Sequence, residues 1–518
     1  MVFITIKDRT KNILYRVVRK DGIMYLYFII GYVAVIALIG LASMSRVKGV
    51  SDFFLAGRSV NPWMSAFSYG TAYFSAVLFI GYAGNIGWNF GISALWVVFG
   101  NTFVGSFLAW KVLGPRTREM TNRLNATTMP EFIGIRYQSK NLRIATALII
   151  FVFLIPYSAS VYKGLGYLFE QVFGLPNEII LLVIAFFTAF YLVLGGYVAS
   201  AKVDFIQGII MIIGVILMLT YIISHPDVGR FSNVLSSLKQ IDARLIKPIG
   251  PQGLLTTLSL VTLTSLGTWG LPQMVHKFYA IRDERSINAA KWVSTGFALL
   301  ITFGAYYTGI VSRLFYPESM PSFKGAINSD VLIPKVLTQT LPGAVLGIIL
   351  ILVLSASMST LASLVLASSS AITMDLIYGV FCPNISNKKL TLLTRVLCLL
   401  FVVLSYIIAI LPNPVMTLAS ISWGTVSGCL LAPYLYGLFW KRTTKAGVWA
   451  GIATACCIMI GGAVYTKMDD AWMPIFSAMS IIVPLLIVPL VSMVTQSYGK
   501  VNLELSYDLP ITQVEPES

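Results

Sequence analysis

Charge is scarce in this chain. Of its 518 residues only 11% are Asp, Glu, Lys or Arg, where a soluble domain carries about 25%. No polar stretch is long enough to form a separate soluble domain. Histidine is scarcer still: His225 and His276 are the only two and lie far apart, which argues against a histidine-based metal centre. The five cysteines (Cys382, Cys398, Cys429, Cys456, Cys457) lack metal-ligand spacing and mostly sit in apolar runs. They read as small core hydrophobes. No buried nucleophile–base pair stands out, which disfavours an enzyme.

What the chain has instead is apolar sequence: 57% hydrophobic residues, mean hydropathy +0.81. These come in runs of roughly twenty, the length needed to cross a hydrocarbon core of about 30 Å. The expectation is an all-α polytopic membrane protein. Thirteen spans are predicted, near 24–44, 63–86, 92–112, 142–165, 177–195, 203–223, 254–273, 289–313, 336–377, 390–411, 414–438, 446–466 and 472–496. The run at 336–377 exceeds one crossing, so it is tilted or begins with a separate interfacial helix. Residues 1–23 read as a basic tail with no cleavage site after its apolar run, 24–496 as the membrane domain, and 497–518 as a short acidic tail.

The net charge of +16 fits basic cytoplasmic loops better than nucleic-acid binding. With the loop 46–62 inside, one side collects Arg46, Lys48 and Arg58, then Lys111, Arg116, Arg118, Arg123, Arg136, Lys140 and Arg143. Lys277, Arg282, Arg285 and Lys291 follow, then Lys388, Lys389, Arg395, Lys441, Arg442 and Lys445. The opposing loops 86–91, 166–178 and 412–415 carry neither Lys nor Arg. This puts the N-terminus outside and the C-terminus in the cytoplasm. The six basic residues of the N-terminal tail sit badly with that, so either the tail tolerates the wrong side or the count is off by one.

Two spans look broken. One carries Gly70 beside Ser68, Thr71 and Ser75; the other carries Gly267, Gly270 and Pro272 beside Thr262, Thr264, Ser265 and Thr268. They lie five spans apart, as two inverted five-helix repeats (about 63–223 and 254–438) require. Interrupted helices free carbonyls for a cation and point helix ends at an anionic group; close packing of small residues is the rival reading.

The stretch LSASMSTLASLVLASSS, residues 354–370, holds eight Ser or Thr in an apolar run. Ala356, Ser359, Thr360 and Ser363 share one helix face. Two readings stand: oxygen ligands for a hard cation, or a packing seam whose hydroxyls bond back to i−4 carbonyls. Asp204 falls within an apolar span. It is either an interfacial partner of Lys202 or a carboxylate beside a cation path.

Three motifs resemble a known family: YLVLGGYVASAKVDFIQ, FLAGRSVNPWMSAFSYGTAYFSA and SASMSTLASLVLASSSAITMDL, in order, within a similarity running from about 25 to 495. The chain resembles the sodium:solute symporters, and its ninth span is closest to the sodium/proline version. The resemblance implies a leucine-transporter-type core of thirteen helices in the plasma membrane, with sodium as coupling ion and no organic cofactor. It implies a sodium site built from the carbonyls of Thr71, Phe74 and Ala356 and the hydroxyls of Ser359 and Thr360. Some members bind a second sodium through an acid at the position of Asp204 and two serines; here these positions are Ser363 and Ala362, leaving Asp204 and Ser363 as a second-sodium or exit-path pair. For the solute it points to Tyr73, Ser75, Tyr157, Thr264 and Thr268, with Trp269 as a further ring. Proline symporters carry an Asp where this chain has Tyr73, and an aromatic pair where it has Thr264 and Thr268. The implied partners are sodium, a small organic solute and the bilayer, with no obligatory protein partner. An amino acid such as proline is favoured over a sugar, sialic acid, a monocarboxylate or a pantothenate-like solute. A sensor is the reading of another class. A channel would need repeated filter rings, which the sequence lacks.

Overall fold

The computed structural model describes residues 20–44, 60–229, 231–323 and 325–495. The basic N-terminal tail, the basic residues of the loop 46–59 and the acidic C-terminal tail lie outside them. The described chain is helical almost throughout. Its helices include α1 (Lys20–Met44), α2 (Pro62–Tyr73), α3 (Lys140–Phe173), α4 (Asn177–Ser224), α5 (Gly253–Val261), α6 (Pro272–Ala280), α7 (Glu284–Phe315), α8 (Gly343–Ser370), α9 (Asn387–Ala409), α10 (Val415–Phe439), α11 (Lys445–Tyr465) and α12 (Met473–Thr495). A two-residue hairpin, Ser322–Phe323 with Ala326–Ile327, is the sole sheet among the described residues.

Local chemistry starts these helices where it should. Asn61 caps α2, its Oδ1 accepting from Met64 N at 2.8 Å, with Pro62 in the first turn. Asp283 caps α7 through Ser286 N at 2.7 Å. Such caps satisfy amides that a helix start leaves open.

Among the described residues ten helices are long and apolar enough to cross a membrane, or eleven if the pair Gly253–Gly270 and Pro272–Ala280, bent by 46°, counts as one. The expected thirteen is therefore not confirmed. The difference lies at two places. The run Val77–Arg123 is continuous by length and composition, yet Tyr69 Oη donates to Gly105 O and Tyr73 Oη to Asn101 Oδ1. As the number rises on α2 it falls on its partner, so the chain reverses between them. Gly91 makes that turn at φ +58°, and a Cβ there would sit 2.3 Å from Leu245 O. The second place is α4. Its 48 residues would reach about 72 Å if straight, while Thr188 touches Met358 and Asp204 touches Ser359. Its two apolar portions thus meet the same level of α8. The Gly195–Gly196 pair between them lies outside the described side chains.

The expected run 336–377 is divided. A separate helix, Leu332–Thr340, ends before Pro342, and α8 then continues through residues 371–381. Burial separates centre from rim. In α10 and in 343–381 the most apolar windows are 94% and 83% buried, against 22% for α1; α8 and α10 form the centre, α1 the lipid-facing edge.

One end of the bundle gathers cations. Arg116 donates to Leu438 O, Arg118 to the carbonyls of Ile281 and Arg282, and Arg136 to Gly437 O and Trp440 O. Arg143 joins Glu131 at 3.0 Å and buried Asp375 at 3.1 Å. The basic loops around 116–143, 281–291 and 437–445 therefore converge, as their alternation in the sequence predicts. Lys277 does not belong with them. It is 2% exposed and buried in the bundle, so its assignment to a basic loop is corrected.

Candidate functional site

α2 stops at Tyr73, where Phe74 turns extended (φ −112°, ψ 109°), and helical structure resumes after Ala76. The amides that would close onto the end of α2 go elsewhere: Ala76 N donates to Ser357 Oγ and Val77 N to Ser75 Oγ, both at 3.2 Å. Carbonyls at the end of α2 are thereby released. Thr360 Oγ1 lies 3.1 Å from Thr71 O and 3.3 Å from Ala72 O. Gly70, read from the sequence as the breaking residue, serves packing: a Cβ there would meet the Phe297 ring at 2.4 Å.

The hydroxyls of α8 divide into two groups. Ser357, Ser369 and Thr373 of the following turn bond back to carbonyls four residues earlier, at 2.7, 2.6 and 2.8 Å. Ser359 instead reaches across to Thr71 Oγ1 at 2.7 Å and Asp204 Oδ1 at 2.6 Å. Thr360 does both, with Ala356 O at 3.0 Å. The packing-seam reading thus describes Ser357 and Ser369, while Ser359 and Thr360 turn their hydroxyls toward α2 and α4. The oxygens of Thr71, Ala356, Ser359 and Thr360 converge in a fully buried place between a broken helix and a continuous one. Phe74 lies at the break itself. These are hard, neutral donors, suited to sodium, and the Asp204 carboxyl lies beside them, against Ser359.

The second break falls at Leu271 (φ −83°, ψ 120°), between the 3₁₀ turn Gly267–Gly270 and α6. Ser427 Oγ donates to Gly267 O, and a Cβ on Gly270 would lie 2.7 Å from Ser427 Cα. α10 thus holds this break closely. Between the two broken spans is a narrow cavity of about 20 Å³ lined by Tyr73, Phe74, Ser75, Tyr82, Asn101, Tyr157, Thr264, Tyr306 and Trp423, among others.

A sequence model of the sodium:solute symporter family matches residues 53–455. The chain belongs to that family. It is 28% identical over 438 residues to a sodium/proline symporter of Staphylococcus aureus (strain JH9), covering 83% of this chain and 84% of the relative. Among solved structures it resembles a Na+-coupled sialic acid symporter in a substrate-bound, outward-open state. That match has a TM-score of 0.75 at 15% identity over 92% of this chain and 98% of the other; the likeness is one of fold. The protein is a multi-pass membrane transporter, not an enzyme, with the all-α, leucine-transporter-type fold, and it couples solute transport to sodium.

Within this symporter the residues expected for the solute are only partly together. Tyr73, Ser75, Tyr157 and Thr264 line the cavity. Thr268 and Trp269 do not: Thr268 Oγ1 bonds to Ser265 O at 2.8 Å and Trp269 Nε1 to Val104 O at 3.0 Å. Thr264 presents a face but turns its hydroxyl to Leu260 O at 2.8 Å. Tyr73 Oη is anchored to Thr264 O at 2.5 Å. Sequence reasoning missed Asn101, Tyr82, Tyr306 and Trp423. Trp423 stacks on Tyr82 at 6.3 Å and meets Tyr157 edge-on at 5.3 Å, and Tyr306 Oη is buried with no hydrogen-bond partner among the described residues. Asn101 has a signal that could have found it, a lone amide inside an apolar run; the aromatics have none in so aromatic a chain. Ser357, the cap of the first break, was also missed. Asp204 accepts hydrogen bonds from Ser68 and Ser359, and Lys277 Nζ lies 4.0 Å from its Oδ2.

Proposed function

We propose that this symporter takes up a small zwitterionic or anionic solute, with an amino acid such as proline favoured, together with sodium held by Thr71, Phe74, Ala356, Ser359 and Thr360. The observation that carries the reading is the bridge from Thr360 Oγ1 to the released carbonyls of Thr71 and Ala72. A sodium ion there would draw the broken helix onto α8 and order the adjoining cavity. The cavity lining contains no charged side chain, which disfavours a cationic solute. The relative from Staphylococcus aureus, named a sodium/proline symporter, favours proline. The chain sits in the plasma membrane, N-terminus outside and C-terminus cytoplasmic.

The cycle is alternating access. External sodium fastens α2 to α8, solute binds at the breaks, the core rocks, and the site empties inward. One charge moved through about 100 mV and a tenfold sodium gradient together supply about 3.7 kcal/mol, enough for accumulation of several hundredfold per sodium.

The test is uptake of radiolabelled proline into proteoliposomes under an inward sodium gradient, with potassium as control. Sodium-dependent, saturable uptake is expected. Ser359→Ala with Thr360→Ala should raise the sodium concentration for half-maximal uptake at least tenfold, about 1.4 kcal/mol. Unchanged sodium dependence would remove these two ligands from the reading. Sodium-dependent uptake of other solutes but not proline would overturn the solute alone.

A further inference from the structure

One outer face of the bundle carries a row of rings that ends among cations. In the helical run 95–113, Phe99, Phe103 and Phe107 recur every four residues on one face. Their rings stack with centroids 5.6 Å apart at both steps and planes 19° and 11° from parallel. Trp292 of α7 continues the row, its ring 5.3 Å from Phe107. Phe99, Phe103 and Trp292 are 57%, 43% and 62% exposed, so the row faces the bilayer. Beneath it Ser106 Oγ and Ser294 Oγ meet at 3.1 Å, and a Cβ on Gly114 would lie 3.1 Å from Ile287. The two helices therefore run antiparallel, and Lys111 comes level with the turn 288–291 of α7. Lys291 Nζ lies 5.4 Å from the Phe107 ring and 5.2 Å from that of Trp292, and donates to Asn288 Oδ1 at 2.8 Å. Lys111, one turn past Phe107, and Arg285, one turn before Asn288, are both exposed. Against these three cations stands Glu284; Asp283 is taken up by Arg282 and by the amide of Ser286.

From Phe107 to Phe99 is about 12 Å at the helix rise of about 1.5 Å per residue, close to the roughly 15 Å of hydrocarbon in one leaflet. The rings thus offer an apolar track one acyl chain long, and the cations stand where a headgroup phosphate lies. We propose that this furrow binds one anionic phospholipid of the leaflet on the arginine-rich side, its phosphate held by Lys111, Arg285 and Lys291 and an acyl chain laid along Phe107, Phe103 and Phe99. A second copy of this chain fits the face less well, since a two-fold axis would set the same cations against one another. The lipid acts on transport through the helix it covers. Asn101, on the inner face of that run, accepts from Tyr73 and Ser265 and lines the cavity. Lipid bound outside steadies the helix that presents Asn101 inside.

Native mass spectrometry of the purified full-length protein, titrated with phosphatidylglycerol or with phosphatidylcholine, counts the lipid retained. The parent protein is expected to hold one phosphatidylglycerol at about tenfold lower concentration than phosphatidylcholine. Lys111→Gln, Arg285→Gln and Lys291→Gln together should abolish that preference. Lys388→Gln with Lys389→Gln, exposed at the start of α9, should keep it. No preference in the parent protein, a preference that survives in the triple variant, or an equal loss in the control pair overturns the proposal. A lipid-free dimer that Phe103→Ala dissociates overturns it too, and gives the face to a second copy. Should the triple variant not fold, tryptophan fluorescence of the parent protein in bilayers decides. Lipid brominated along its chains should quench more as phosphatidylglycerol than as phosphatidylcholine, and the excess should shrink in Trp292→Phe. Equal quenching by the two lipids, or an excess undiminished in that variant, overturns the proposal.

Discussion

At the scale of single residues, the site depends on where each hydroxyl sends its hydrogen. Ser357 looks interchangeable with its neighbours in the sequence, but its oxygen accepts the amide of Ala76 at the first break. Ser357→Ala leaves that buried amide unpaired, which costs about 1–3 kcal/mol. The expected outcome is a clear drop in melting temperature in sodium-free buffer. Thr360→Ala, whose hydroxyl bridges carbonyls rather than capping an amide, should fall less and should lose sodium-induced stabilisation. Tyr306 gives the opposite pattern. Its hydroxyl is buried at the cavity with no hydrogen-bond partner among the described residues, and a solute bound there would satisfy it. Tyr306→Phe should hold or raise thermal stability, since an unmet polar group is removed. It should raise the solute concentration for half-maximal uptake about tenfold if one hydrogen bond of about 1.4 kcal/mol is lost. Unaltered uptake would place the solute elsewhere.

At the scale of elements, backbone contact decides what can move. The helix Ala83–Phe90 and α7 touch main chain to main chain: a Cβ on Gly309 would lie 1.8 Å from Ala83 O, and one on Gly87 2.2 Å from Gly309 C. Gly309→Ala must push the two helices apart, and overpacking of this kind costs about 1–3 kcal/mol. Gly296→Ala, on the same helix α7 with nothing within 4 Å of the added methyl, should be neutral or stabilising. Comparing their melting temperatures checks the contact. The same distinction explains how much of the site was legible in the sequence. Period and composition exposed the hydroxyl stripe of α8, because its residues recur every three or four positions on one face. They also exposed both broken spans, because Gly, Pro and Ser cluster there. They misplaced the first break by several residues, since Gly70 accommodates the Phe297 ring while the unwinding at Phe74–Ala76 is made by Ser75 and by Ser357, nearly three hundred positions away. The Lys277–Asp204 pair was illegible for the same reason. A lysine six residues after a helix break reads as a loop cation until the fold brings α4 beside it.

At the scale of the whole molecule, the end of the bundle opposite the arginine-rich one carries buried acids. Asp330, just before the helix Leu332–Thr340, accepts from Val415 N at 3.1 Å at the start of α10. Burial raises its carboxyl to about 6, against the partial relief given by that amide and by Lys163. Lys163 spans the same corner, donating to the carbonyls of Leu411 and Asn413. Asp470, between α11 and α12, is raised to about 7 by burial and by the charges of Asp330 and Asp469, and its oxygen accepts from Thr417. Together these contacts clasp α3, α10 and the α11–α12 connection. In the unfolded chain both carboxyls lose their protons near pH 4. In the folded chain they keep them until about 6 and about 7. Between those limits the folded state binds more protons, so stability falls as pH rises from 4 through 7 and is level above. The melting temperature of the solute-free protein should therefore be higher at pH 5 than at pH 8. Asp330→Asn with Asp470→Asn, which keeps the shape and removes the charge that burial opposes, should flatten that slope and raise stability at pH 8. A slope of equal size in the double variant would assign the pH dependence to other groups. The alternation of access adds a functional consequence. This clasp must loosen whenever its end of the transporter opens, and it is tightest when the acids are protonated. Acidifying that side alone in proteoliposomes should slow uptake in the parent protein, and the double variant should not respond.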